Sequence, residues 1–195
     1  MPNYDGIIFD MDGTIVELSL DFKTIRAELG IAPEFGIIEY LNQLPPKEAE
    51  QANAELQNHE ILGAKKTSLL PGALETLDAV RAAGLKTALL TRNTRQSVDI
   101  IMQRFPELQS HFDIIRTREN GTIKPQPDSM LDACKTLGIQ PQRTLCVGDY
   151  LYDLQAANSA GAASVLITTH RDWKTFASQA NFVIDKLDEL LKLIS

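Results

Sequence analysis

The sequence predicts an α/β fold: a doubly wound, mostly parallel Rossmann-like sheet with a small helical cap inserted after the first strand. Three observations carry that reading. Five short apolar runs recur along the 195 residues, most of them continuous rather than alternating, as in strands covered on both faces. Segments of helical periodicity lie between them, and that alternation is the pattern of parallel strands joined by crossover helices. One stretch, 16–70, breaks the alternation and holds helical patterns only.

In chain order, GIIFD at 6–10 forms the first strand. The cap follows, with helices over Phe22 to Leu29, Glu34 to Leu41 and Lys47 to Leu62, the last placing Ala49, Ala52 and Leu56 on one face. Pro45-Pro46 separates the second from the third, and Pro71-Gly72 closes the region with a turn. The chain is therefore expected to divide into a core of residues 1–15 and 71–195 and a cap subdomain of 16–70. Leu74, Leu77 and Val80 begin the next helix, which stops at Gly84, and LKTALLT at 85–91 is a strand. Val98, Ile101, Met102 and Phe105 make an amphipathic stripe, DIIRT at 113–117 a weaker strand, and Leu131, Cys134 and Leu137 a helix ending at Gly138. TLCVGD at 144–149, SVLIT at 164–168 and Phe182 to Ile184 complete the strands; Leu187, Leu190, Leu191 and Ile194 form a closing helix.

A hydrophobic content of 44% suffices for a sizeable core. The formal charge of -7 and a pI near 5.0 argue against nucleic acid or an anionic membrane as partner, since both call for a basic patch. Small anionic substrates need only a few local cations and stay open. Cys134 and Cys146 read as small core residues, in keeping with a reducing compartment. With no leader pattern and no apolar stretch near the roughly 20 residues of a membrane span, a cytoplasmic protein is expected, as a monomer or homodimer. His59, His111 and His170 lack ligand spacing and are assigned to surface or packing, as is Trp173 to packing; Lys23, Arg26, Lys65 and Lys66 are assigned to a solvated cap face.

The position of the polar residues points to function. In open α/β sheets, ligands bind beyond the carboxyl ends of the strands. Here the apolar runs end in Asp10 and Asp12, in Thr91, and in Asp149, while Lys124 follows the DIIRT run. A parallel sheet brings these groups to one rim. Several carboxylates so close cannot all stay ionised without a cation, and oxygen-only donors suit Mg²⁺. Magnesium with a lysine and a threonine hydroxyl is a receptor for a phosphoryl group. Arg92, Asn93 and Arg95 follow Thr91, placed either to reach an anionic substrate or, for Asn93 and Thr94, to cap the next helix. Gly13 lets the backbone turn sharply after the strand.

FDMDGT at 9–14, LLT at 89–91, KPQP at 124–127 and GDYLYD at 148–153 resemble the four ordered motifs of the haloacid dehalogenase superfamily. The subgroup most similar is that of phosphoglycolate phosphatase-like enzymes, whose helical cap follows the first motif. The resemblance implies a Mg²⁺-dependent phosphatase hydrolysing a small phosphorylated metabolite through an aspartyl-phosphate. Asp10 matches the nucleophile and Asp12 the general acid/base, a carboxylate that dehalogenating members lack. Asp149 matches a Mg²⁺ ligand, joined by Asp10 and the Asp12 carbonyl, with Asp153 supporting the metal or its waters. Thr91, with the Arg92 amide, and Lys124 match the phosphoryl-binding groups. Two alternatives share this chemistry. A phosphomutase must exclude water, which a short cap does poorly. A phosphoacceptor signalling domain carries no acids after its lysine, whereas here GDYLYD follows Lys124.

Overall fold

A computed structural model of the chain describes residues 4–17 and 20–194. Residues 1–3 and 195 of the expected core, and 18 and 19 of the expected cap, lie outside the described residues.

The first strand, β1 (Gly6–Phe9), is buried along its whole length. Its side chains alternate between two apolar layers. Ile7 and Phe9 pack with Leu77 and Val80 of α4 (Ala73–Ala82) and with Val98 and Ile101 of α5 (Arg95–Arg104). Ile8 packs on the other side with Met130, Ala133 and Cys134 of α6 (Asp128–Leu137) and with Ala156 and Ala157 of α7 (Leu151–Ala160). A strand clad on both faces has no polar side to show, so its sequence is a continuous apolar run.

Among the described residues the strands form one six-stranded sheet in the order β3-β2-β1-β4-β5-β6, every neighbouring pair parallel. The others are β2 (Lys86–Leu90), β3 (Ile114–Arg116), β4 (Thr144–Gly148), β5 (Ala163–Ile167) and β6 (Phe182–Ile184). Phe9 lies opposite Leu89 on one side and Val147 on the other. The chain thus leaves β1 in one direction and later continues from β1's other flank, which makes the carboxyl ends of β1 and β4 the switch point where α/β sheets open a crevice.

Three helices occupy the stretch between β1 and α4: α1 (Phe22–Leu29), α2 (Ile37–Leu41) and α3 (Pro46–Ala64). Ile25, Ile31, Ile37, Ile38, Leu41 and Leu56 bury one another in a cluster of their own. Ala64, at the end of α3, joins the main core instead. The two connections pair at a neck: Leu70 N–H donates to the Ile15 carbonyl at 2.9 Å, Glu17 N–H to Ser68 at 2.8 Å, and the Thr67 hydroxyl to the Glu17 carbonyl at 2.6 Å.

Several elements depart from the sequence reading. The helix expected over 34–41 begins only at Ile37, because Gly36 is extended (φ -65°, ψ 137°) and no side chain caps the end. The third cap helix continues past Leu62 to Ala64. The closing helix is a 3-10 turn at Leu187–Leu190 followed by α8 (Leu191–Ile194). Helix α7 was outside the expected pattern: Ala156, Ala157 and Ala160 bury its inner face, and methyl groups make a weak stripe.

Candidate active site

β1 delivers Asp10 to the rim, its amide held by the Val147 carbonyl at 2.8 Å. The chain then turns tightly, the amides of Thr14, Ile15 and Val16 all converging on the Met11 carbonyl. Gly13 makes the turn at φ +72°, and a Cβ there would lie 2.1 Å from Asp149 Oδ2. Gly148, at the end of β4, is constrained in the same way, since its Cβ would fall 2.2 Å from Asp153 Cγ. Two glycines therefore make the room in which Asp149 and Asp153 close on the end of β1.

Asp10, Asp149 and Asp153 each offer a carboxylate oxygen, and these atoms lie within 4.8 Å of one another. Asp153 reaches the group from the first turn of α7, where it also accepts from the Tyr150 amide at 3.2 Å. Lys124 enters from the loop before α6 and is 3% exposed. Its ammonium donates to Asp10 Oδ1 at 2.5 Å, to Asp153 Oδ1 at 2.6 Å and to the Leu90 carbonyl at 2.7 Å, which uses all three of its protons. Asp12 stands to the side, its Oδ2 accepting from Asn93 Nδ2 at 2.6 Å.

Four aspartates thus face one lysine in a largely buried site, and the protonation equilibria record the strain. Burial pushes Asp10 up to about 7; Lys124 pulls against the rise, and Asp153 and Asp12 add to it. Burial lifts Asp12 to about 6 against the bond from Asn93. Asp149 is lifted to about 9 by burial and then by the charges of Asp10, Asp153 and Asp12, against the pull of Lys124. Burial works to lower Lys124, but Asp10 and Asp153 hold it above the ordinary lysine range. A set of crowded oxygen donors that carries surplus negative charge fits a hard divalent cation such as Mg²⁺.

The structure brings most of the expected residues together. Thr91 is buried at the end of β2, its hydroxyl accepting from the Asn93 amide at 3.1 Å. Asn93 spends its side chain on Asp12, and Thr94 caps α5 by accepting from the Ser97 amide. Arg92 donates from Nη1 to the Lys124 carbonyl at 2.6 Å and from Nη2 to both oxygens of Glu39, at 2.7 and 3.0 Å, while its guanidinium lies 4.5 Å from the centre of the Tyr152 ring. Arg95 turns away and pairs with Asp99. Arg26 is not on a solvated face: it donates to the Phe35 and Ala32 carbonyls and closes the loop after α1. His59 pairs with Glu28 in the cap, His111 with Asp78 in the core, and His170 packs among the Tyr150 and Phe176 rings. Cys134 and Cys146 are buried and free, and Trp173 packs beside Leu154 and Phe176.

Glu39, Glu60, Arg118 and Tyr152 belong to the site's surroundings and were outside the sequence reading. Glu60 had a signal, because 49, 52, 56 and 60 continue one inward face of α3 and a carboxylate on that face needs a partner. The partner is Arg118, whose Nη1 and Nη2 donate to the two Glu60 oxygens at 2.9 and 3.2 Å. Between α3, the neck and α5 runs a narrow cleft into which Asp12, Asn93, Glu60 and Thr67 present polar groups.

The sequence pattern of haloacid dehalogenase-like hydrolases matches residues 4–161. An uncharacterized hydrolase of Saccharomyces cerevisiae is 30% identical over 201 residues, spanning 100% of this chain and 92% of its own. A phosphoglycolate phosphatase of Nitrosospira multiformis is 39% identical over 97 residues, 49% of this chain and 42% of its own. Among solved structures, a HAD family hydrolase from Deinococcus radiodurans with bound phosphate and sodium superimposes with a TM-score of 0.71 over 100% of this chain and 99% of its own, at 22% identity.

Proposed function

Since the chain belongs to the haloacid dehalogenase-like hydrolase family, we propose that it is a Mg²⁺-dependent phosphomonoesterase acting on a small phosphorylated metabolite. One observation carries this reading: Asp10 stands at the switch point with Lys124 at 2.5 Å, Asp149 and Asp153 beside it and a second acid, Asp12, held apart on Asn93. The naming of the Nitrosospira relative as a phosphatase supports it, as does the phosphate bound in the Deinococcus structure.

Asp10, Asp149 and Asp153 would hold the cation, with the Asp12 carbonyl. When bound, Mg²⁺ offsets charge on the carboxylates and on the phosphoryl oxygens. The chain's own residues then divide the work. A carboxylate oxygen of Asp10 attacks phosphorus, an Asp–phosphoryl bond forms, and the ester P–O bond breaks. Asp12 delivers its proton to the departing alkoxide, then takes one from the water that attacks the Asp10 phosphoryl ester, which returns Asp10 as carboxylate and releases phosphate. Lys124 and the Thr91 hydroxyl orient the phosphoryl group and balance the charge that builds on it.

Purified protein with a panel of phosphate esters tests this. Phosphate release is expected with Mg²⁺ and not after chelation, and Asp10→Asn is expected to abolish it; steady release by that variant would overturn the nucleophile assignment.

A further inference from the structure

The cleft lies against Asp12, the acid that the phosphatase reading turns toward the leaving oxygen, so a leaving group bonded to that oxygen would meet its lining first. Its lining says what that leaving group can be. Leu20 and Ile101 supply apolar walls, and the polar groups are Asp12, Asn93, Thr67 and Glu60; neither lysine nor arginine lines it among the described residues. The nearby cations are committed elsewhere. Lys124 is held by Asp10 and Asp153, Arg92 by Glu39, and both outer nitrogens of Arg118 by Glu60. Arg104 touches the wall only at the Thr67 carbonyl, from an exposed position. Glu60 itself is 6% exposed, and Arg118 and Thr94 take only part of its capacity, since a carboxylate offers about four lone pairs.

We propose that this cleft selects phosphate esters whose leaving group is a small alcohol bearing hydrogen-bond donors and no negative charge, and that Glu60 makes the selection. A carboxylate on the leaving group would lose its water beside two acids with no free cation to receive it. A hydroxyl in the same place donates to Glu60, whose carboxylate keeps lone pairs open. The proposal rests on the phosphatase reading, and it sets this chain apart from a relative named for a substrate with a carboxylate.

Phosphoglycolate and 2-hydroxyethyl phosphate are matched probes, alike in size and differing in a carboxylate against a hydroxymethyl group. With Mg²⁺ and wild-type protein, kcat/KM for the hydroxyl ester is expected to exceed that for phosphoglycolate by about tenfold or more. Raising ionic strength should narrow the ratio by screening. Glu60→Gln should narrow it by about threefold or more, mainly through a lower KM for phosphoglycolate, because the repelling charge is gone. A wild-type ratio at or below one, with phosphate release intact, overturns the proposal alone; a folded Glu60→Gln that leaves the ratio unchanged overturns the role of Glu60. Should that variant not fold, the wild-type ratio and its salt dependence decide. Absence of Mg²⁺-dependent release from both esters and from p-nitrophenyl phosphate overturns the phosphatase reading, and this proposal with it.

Discussion

At the scale of single residues, the site is a packing problem solved with glycine. Gly13 needs φ +72° and has Asp149 Oδ2 where a Cβ would go, so Gly13→Ala combines strained backbone with a displaced carboxylate. A loss of about 1–3 kcal/mol in stability is expected, read in denaturant melts, together with a large loss of phosphatase turnover. Lys124→Met removes the cation that pairs with Asp10 and Asp153 and leaves both buried without an ion-pair partner among the described residues, at a cost of about 3–5 kcal/mol. Adding Mg²⁺ should return part of that stability without returning turnover. The residues that were legible in the sequence are those that end a strand. Asp10, Thr91 and Asp149 each terminate a buried apolar run, and a parallel sheet forces such ends onto one rim. Glu60 and Arg92 were less legible because a charged residue on a helix face or in a loop has water as its ordinary partner, and only the fold shows that Arg118 and Glu39 have taken water's place.

At the scale of elements, the strands were legible within a residue or so at each end and one helix was not. Strands here are short, apolar and two-sided, a pattern with little competition. Helix α7 buries Ala156 and Ala157 against the sheet, and both are fully inaccessible. Its information lies in what is absent, since larger side chains would not fit between α7 and β4. Ala157→Leu should therefore destabilise the fold by about 1–3 kcal/mol through overpacking, measured as a lower denaturation midpoint. Because α7 also carries Asp153 in its first turn, the same variant should weaken Mg²⁺ activation, seen as a higher half-saturating metal concentration. The start of α2 was misplaced for a backbone reason: Gly36 is extended and uncapped, so the helix begins only at Ile37, and a Cβ at Gly36 would also meet the Glu39 carboxylate.

At the scale of the whole molecule, charge and stability are coupled through the rim. Asp10 and Asp149 bind protons more tightly in the folded chain, with pKa values of about 7 and 9 against an ordinary 3.8. Between those values and 3.8 the folded state holds protons that the unfolded state has released, so metal-free stability should fall as pH rises from 6 to 9. Lys124, raised by its partners, loses its contribution only above the ordinary lysine range, outside that window. Mg²⁺ competes with those protons, so at a fixed concentration the increase in Tm that it produces should grow over the same range; a hundredfold excess over Kd corresponds to about 2.7 kcal/mol of stabilisation. Thermal melts at pH 6, 7.5 and 9, with Mg²⁺ and with chelator, measure both trends; a shift independent of pH would contradict the coupling. No described helix is long and apolar enough to cross a membrane. The neck has a further consequence. Ile15 and Leu70 are joined by a hydrogen bond although 55 positions apart in sequence, so the intervening chain leaves the core and re-enters it at adjacent points, like a cartridge in a socket. A segment anchored in this way can change length at small entropic cost while the strand ends that carry Asp10 and Asp149 keep their places.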